Sequence, residues 1–156
     1  MNILLVEDRG ESFQYLKELL EAEGHVVLDA FHPNDAQDHW SKRDDGDDCR
    51  VDCIILDLNM PTDGLTDDEK AKSCGGLLSG WFWFAGHVLN EAPEMRDRVI
   101  IFSDYIKDLK DSVGEAEYAG IFMMPRRGRT SATEDVLDRV KDIAAKYQFA
   151  RNPRNV

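Results

Sequence analysis

The chain has 156 residues, enough for one domain with its own core and too few for a comfortable pair. A formal net charge of −12 sets it against phosphate backbones and anionic lipid, so neither nucleic acid nor a membrane surface is an expected ligand, and its field favours cations and basic protein surfaces. The longest apolar stretch, residues 80–89, falls far short of the ~20 residues of a bilayer span, and no basic segment precedes an apolar one at the start, so a cytoplasmic protein without a leader is expected.

Asn2-Ile3-Leu4-Leu5-Val6 is an apolar run that stops at Glu7-Asp8, as a strand buried on both faces and opening into a site reads. Phe13, Leu16, Leu19 and Leu20 then follow a helical period, and Gly24 supplies the left-handed stop. A second strand spans Val26–Ala30, and Asn34 is the expected cap of a short helix carrying Ala36 and Trp40. Residues 41–50 contain Asp44-Asp45-Gly46-Asp47-Asp48, which lacks the glycine position and closing glutamate of a calcium loop and reads as a solvated acidic loop.

A third strand, Cys53–Leu56, runs straight into Asp57-Leu58-Asn59-Met60-Pro61. Residues 77–89 place Leu77, Leu78, Trp81, Phe82, Ala85, Val88 and Leu89 on one helical face. A fourth strand, Val99–Phe102, precedes Ser103-Asp104, and a weak helix over 106–118 contains Gly114. Residues 121–124 read as a fifth strand before Pro125, and Ser131 with Glu134 forms a capping box for a last helix burying Val136, Leu137, Val140, Ile143, Ala144 and Tyr147. Five strands alternating with helices imply one doubly wound α/β domain over residues 1–150, a five-stranded parallel sheet with helices on both faces, followed by a short tail at 151–156. Cys49, Cys53 and Cys74 have no metal-ligand spacing and are expected to be reduced.

In such a sheet the ligand site lies beyond the carboxyl ends of the strands, where strand order reverses. Glu7, Asp8, Asp57, Asn59, Ser103 and Asp104 land there. Three carboxylates in one cleft repel unless a cation neutralises them, and an all-oxygen set suits magnesium.

Ile3 to Asp8, then Ile54-Ile55-Leu56-Asp57-Leu58-Asn59-Met60-Pro61, Ile100-Ile101-Phe102-Ser103, and Ala119-Gly120 before a strand ending in Met124-Pro125 resemble, in order and over nearly the whole chain, the receiver domains of two-component response regulators. The resemblance implies a flavodoxin-like receiver fold in which Asp57 accepts a phosphoryl group from a histidine kinase, a phosphotransfer protein or a small phosphodonor. It further implies that Asp8 and Asp57 ligate Mg2+ directly, that Glu7 acts through water, that Asn59 offers its backbone carbonyl, and that Ser103 is the switch hydroxyl.

The pattern also breaks. Met124 stands where receivers carry a lysine that pairs with the phosphoryl group, and a thioether supplies neither charge nor a strong donor. Asp104 adds a negative charge after the switch hydroxyl, and Ile121 replaces the usual strand-5 aromatic. Residues 62–76 are roughly ten longer than the short loop expected there. Within them Thr66 and Glu69 could cap a small helix, with Lys70 or Lys72 swinging toward Asp57 in place of the missing ammonium. The run Trp81-Phe82-Trp83-Phe84 leaves Trp83 or Phe84 either for a partner or homodimer surface or for cover by this insertion. Arg126-Arg127-Gly128-Arg129 is a lone basic knot in an acidic chain that could contact a partner or phosphate, with a solvated loop before the last helix as the preferred reading.

The leading expectation is a stand-alone receiver in phosphorelay signalling, a non-enzymatic module acting on a downstream protein partner. The alternative is a phosphorylation-independent interaction module that keeps the acidic cleft. A phosphohydrolase fits less well, because Asn59 cannot transfer the proton that a second acid at that position would.

Overall fold

A computed structural model of the chain describes residues 1–8, 10–127 and 131–151, the side chains of 10–12 and 148–151 excepted. The expected tail and the Gly128-Arg129 half of the basic loop fall outside these residues, apart from Arg151 at the end of the last helix.

Five strands, β1 (Asn2–Val6), β2 (Val26–Ala30), β3 (Cys53–Leu56), β4 (Val99–Phe102) and β5 (Phe122–Met124), pair in parallel in the order β2-β1-β3-β4-β5. The three central strands are buried along their whole length, which is why they read as unbroken apolar runs. Because side chains alternate across a sheet, consecutive residues feed two cores. Ile3, Leu5, Cys53, Ile55, Ile100 and Phe102 pack with Phe13, Leu16 and Leu20 of α1 (Gly10–Ala22) and with Val136, Val140 and Ile143 of α8 (Ala132–Arg151). Leu4, Val6, Ile54, Leu56 and Ile101 face the other way, against Ala36 and Trp40 of α2 (Pro33–Ser41) and the aromatic run of residues 81–84.

Local chemistry sets most element ends. Gly24, at φ +84°, closes α1 with a Schellman pair, Gly24 N donating to Glu21 O and His25 N to Leu20 O. The cap of α2 is His32 with Pro33 in the first helical position, rather than Asn34; the fixed φ of proline suits that place. The weak helix over 106–118 is two short ones, α6 (Ile106–Ser112) and α7 (Glu115–Tyr118), because Gly114 stands between them at extended dihedrals. At the start of α8, Ser131 Oγ donates to Asp135 Oδ2.

The insertion folds onto the body. Thr66 and Glu69 form the expected capping box at the head of α3 (Asp67–Lys72), and Leu65 joins the α2-side core. Behind α3, Cys74, Gly75 and Gly76 take three successive left-handed conformations, and Met60 N donates to Gly76 O, so the loop is pinned to the segment that follows Asp57.

The aromatic helix is not uniform. It runs as α4 (Ser79–Trp83), a π-helical turn over Phe84–Val88, and α5 (Leu89–Glu91), followed by a 3-10 turn at Pro93–Arg98. Trp83 and Phe84 are 1% and 0% exposed, so neither forms an interaction surface. Trp83 Nε1 donates to Gln37 of α2, and Glu69 of the insertion reaches the π turn, with its Oε1 3.7 Å from His87. The insertion and α2 therefore cover the face that the sequence left open. Among the described residues, no helix is long and apolar enough to cross a membrane, and the three cysteines are free.

Candidate functional site: an acidic cleft closed by an arginine

Strand order reverses between β1 and β3, and the residue just beyond each central strand stays on the ladder. Glu7 N donates to Ala30 O, Asp57 N to Val6 O and Ser103 N to Met124 O, at 2.9, 3.0 and 3.2 Å. Backbone pairing thus fixes where these side chains start, and all emerge at one edge.

Glu7, Asp8 and Asp57 each bring a carboxylate oxygen within 4.8 Å of the others. Glu7 and Asp57 are 3% and 1% exposed. Asp8 is half-buried, yet its Oδ1 is shut from water with no hydrogen-bond partner among the described residues. A buried carboxylate oxygen without a donor is costly, and a cation is the ligand that removes that cost. The donor set is all oxygen and suits a hard divalent ion. Asn59 lies beside them, half-buried, its backbone N 3.4 Å from Asp57 Oδ1.

Ser103 is fully buried and donates its hydroxyl to Asp57 Oδ1 over 2.5 Å. The same Oγ accepts from Leu58 N and Tyr105 N at 3.4 and 3.3 Å. Ser103 is therefore in direct contact with the central acid.

The feature that sequence reasoning missed is Arg126. Its Nη2 lies 2.9 Å from Asp57 Oδ2 and its Nη1 3.0 Å from Glu7 Oε2, so one guanidinium spans two buried carboxylates. Its Cζ sits 5.3 Å from the centre of the Phe13 ring. Burial pushes the Asp57 carboxyl above its ordinary range, opposed by the Ser103 hydroxyl and the Arg126 charge, which favour the ionised form. The sequence did hold a signal: Arg126 is the first residue after the proline that ends β5, hence at the carboxyl edge with the acids. Reading it as part of a solvated loop overlooked that address.

Two other expectations are corrected. Lys70 and Lys72 are exposed, and Lys72 Nζ binds Asp68 at 2.6 Å within α3, so neither stands in for the missing ammonium. Asp104 adds no unpaired charge to the cleft: it accepts from Arg127 N at 2.9 Å and pairs with Arg127 Nε at 3.1 Å. Met124 is buried against the α1–α8 side of the sheet and contributes packing. Asn59, Asp104, Tyr105, Arg126 and Arg127 line a groove open to solvent, which Arg126 joins to the acids that it binds.

No protein-family model matches the chain, and no curated protein does. Solved structures do. A response regulator receiver domain protein from Clostridium thermocellum is 21% identical, with a TM-score of 0.63 over 96% of this chain and 98% of that one. A receiver domain protein from Methanospirillum hungatei is 18% identical, with a TM-score of 0.63 over 94% and 96%. A response regulator from Thermotoga maritima, solved in complex with Mg2+ and beryllofluoride, is 18% identical, with a TM-score of 0.59 over 91% and 97%. Strand order, parallel pairing and near-complete mutual coverage agree, and the chain has the flavodoxin-like fold of response-regulator receiver domains.

Proposed function

We propose that this protein is a receiver in two-component signalling that takes a phosphoryl group onto Asp57 in the presence of Mg2+. The observation that carries the reading is the meeting of Glu7, Asp8 and Asp57 at the β1/β3 switch point, with one oxygen of Asp8 buried and without a partner among the described residues. A neighbouring receiver was solved with magnesium and beryllofluoride, a group shaped like a phosphoryl.

A carboxylate oxygen of Asp57 forms a bond to phosphorus while the donor's phosphorus–nitrogen or phosphorus–oxygen bond breaks, and the leaving group departs with the electron pair. Magnesium, when bound, neutralises charge gathering on the phosphoryl oxygens. Asp8 and Asp57 would hold it directly, Glu7 through water and Asn59 through its carbonyl. Ser103 already holds Asp57 by one oxygen, which orients the other. Arg126 takes the part that Met124 cannot, offering a fork of N–H groups to oxyanions. Asn59, two residues after the acceptor, has no proton to transfer, so the reading is a stoichiometric acceptor and not a turnover enzyme. Its partners would be a histidine kinase or phosphotransfer protein and a downstream protein.

The test is incubation with acetyl phosphate and Mg2+ followed by intact mass. A gain of ~80 Da that is absent in Asp57→Asn supports the reading. No gain at saturating donor supports the second reading, a phosphorylation-independent interaction module. The Arg126 bridge favours that second reading, because it balances two of the three acids without any phosphoryl chemistry.

A further inference from the structure

Both oxygens of Asp57 are taken. Oδ1 accepts from Ser103, and Oδ2 accepts from Arg126 at 2.9 Å. Glu7 Oε2 is held by the same guanidinium at 3.0 Å. Of the three acids, Asp8 keeps a buried oxygen with no donor among the described residues. A divalent cation approaching this cleft meets one ready ligand and a fixed positive charge on the other two.

We propose that Arg126 is a built-in counter-cation: it occupies Glu7 and Asp57 while no metal is bound, and a divalent ion must displace it to enter. This rests on the reading of the acidic cleft as a metal site. Two positive charges sharing a pair of carboxylates repel, and low-dielectric surroundings enlarge that repulsion. The same carboxylates cannot give their full charge to both.

The pose of Arg126 is suited to release. Its Nε is buried with no acceptor among the described residues, so the guanidinium holds two acids at the cost of one idle donor. It stands in the connection between β5 and α8, outside any helix or strand, where a side-chain rotation breaks no ladder or helix bond. The side chain is 15% exposed, so a path to solvent exists. Once off Asp57, the guanidinium faces the groove that it lines with Asn59, Asp104, Tyr105 and Arg127, where an incoming oxyanion would meet it. Cation entry and exposure of the nucleophilic oxygen then become one event, and the acceptor stays capped until metal arrives.

The experiment is a Mg2+ and Mn2+ titration by calorimetry of the wild type, Arg126→Ala and Arg126→Lys. Removing the charge is expected to tighten binding by about ten-fold or more, while lysine, which keeps it, stays near the wild-type affinity. Wild-type binding with no tightening in Arg126→Ala overturns the proposal and leaves the metal site standing. Failure of both wild type and Arg126→Ala to bind overturns the metal reading and this proposal together. Should Arg126→Ala fold poorly without metal, Arg126→Gln replaces it, and the readout is the rise in unfolding temperature with added Mg2+. That rise must be larger in the variant than in the wild type; an equal rise overturns the proposal.

Discussion

Ser103 donates its hydroxyl to Asp57 Oδ1 over 2.5 Å, joining the end of β4 to the end of β3 through two fully buried side chains. The oxygen that donates also accepts from the Leu58 and Tyr105 amides. One hydroxyl thus holds the central acid and both neighbouring loop starts.

Ser103→Ala should therefore destabilise the protein by about 1–3 kcal/mol, because it strips a donor from a buried carboxylate and an acceptor from two amides. Urea denaturation checks this. The midpoint should fall with an unchanged slope. A midpoint at the wild-type value would show that water replaces the hydroxyl at no cost.

Gly80 is the point where α4 touches the site backbone. Its N donates to Leu58 O, and a Cβ there would stand 2.0 Å from the Asp57 carbonyl oxygen and 3.2 Å from Leu56 Cδ1. The first of these is backbone and cannot rotate away. Gly80→Ala is expected to cost about 3 kcal/mol or more and to push Asp57 out of register with Glu7 and Asp8. Denaturation and Mg2+ calorimetry read the two effects, and a variant within ~0.5 kcal/mol of wild type would refute the close packing.

The three thiols should differ in reactivity. Cys74 is exposed, Cys49 intermediate and Cys53 buried within β3. Burial pushes the Cys53 thiol up to about 12, so its thiolate is scarce at mildly alkaline pH. The folded pKa lies above the unfolded one, so folding holds the neutral thiol; that contribution is intact below the ordinary cysteine range and fades as pH climbs toward about 12. At pH 8 a disulfide reagent should label Cys74 fast, Cys49 more slowly, and Cys53 only when denaturant is added. Labelling of all three in the folded protein would contradict the buried β3.

How much of this was legible in the sequence follows from which forces are local. The strands β1, β3 and β4 announce themselves because a parallel sheet covered on both faces demands contiguous apolar residues. The acids after β1 and β3 announce the cleft because strand ends in this topology share one edge. The Arg126–Glu7 pair spans 119 residues and leaves no periodic trace. The π turn over Phe84–Val88 that divides the aromatic helix was equally hidden, since the apolar period runs through it unbroken.

Trp83 is the sharpest test of that last difference. The sequence alone allowed it to face a partner, whereas its ring is 1% exposed and its Nε1 donates to Gln37 Oε1 over 3.1 Å. A surface tryptophan can be truncated with little effect on stability, while a buried one leaves a cavity and an orphaned amide oxygen. Trp83→Ala should cost about 3–5 kcal/mol, and Trp83→Phe, which keeps most of the volume but not the N–H, should cost less. Denaturation of the two variants measures the ladder, and sedimentation of the folded variants should match that of the wild type. If Trp83→Ala were as stable as wild type and instead altered association, the insertion would not be the cover for this helix, and the aromatic run would again belong to a partner.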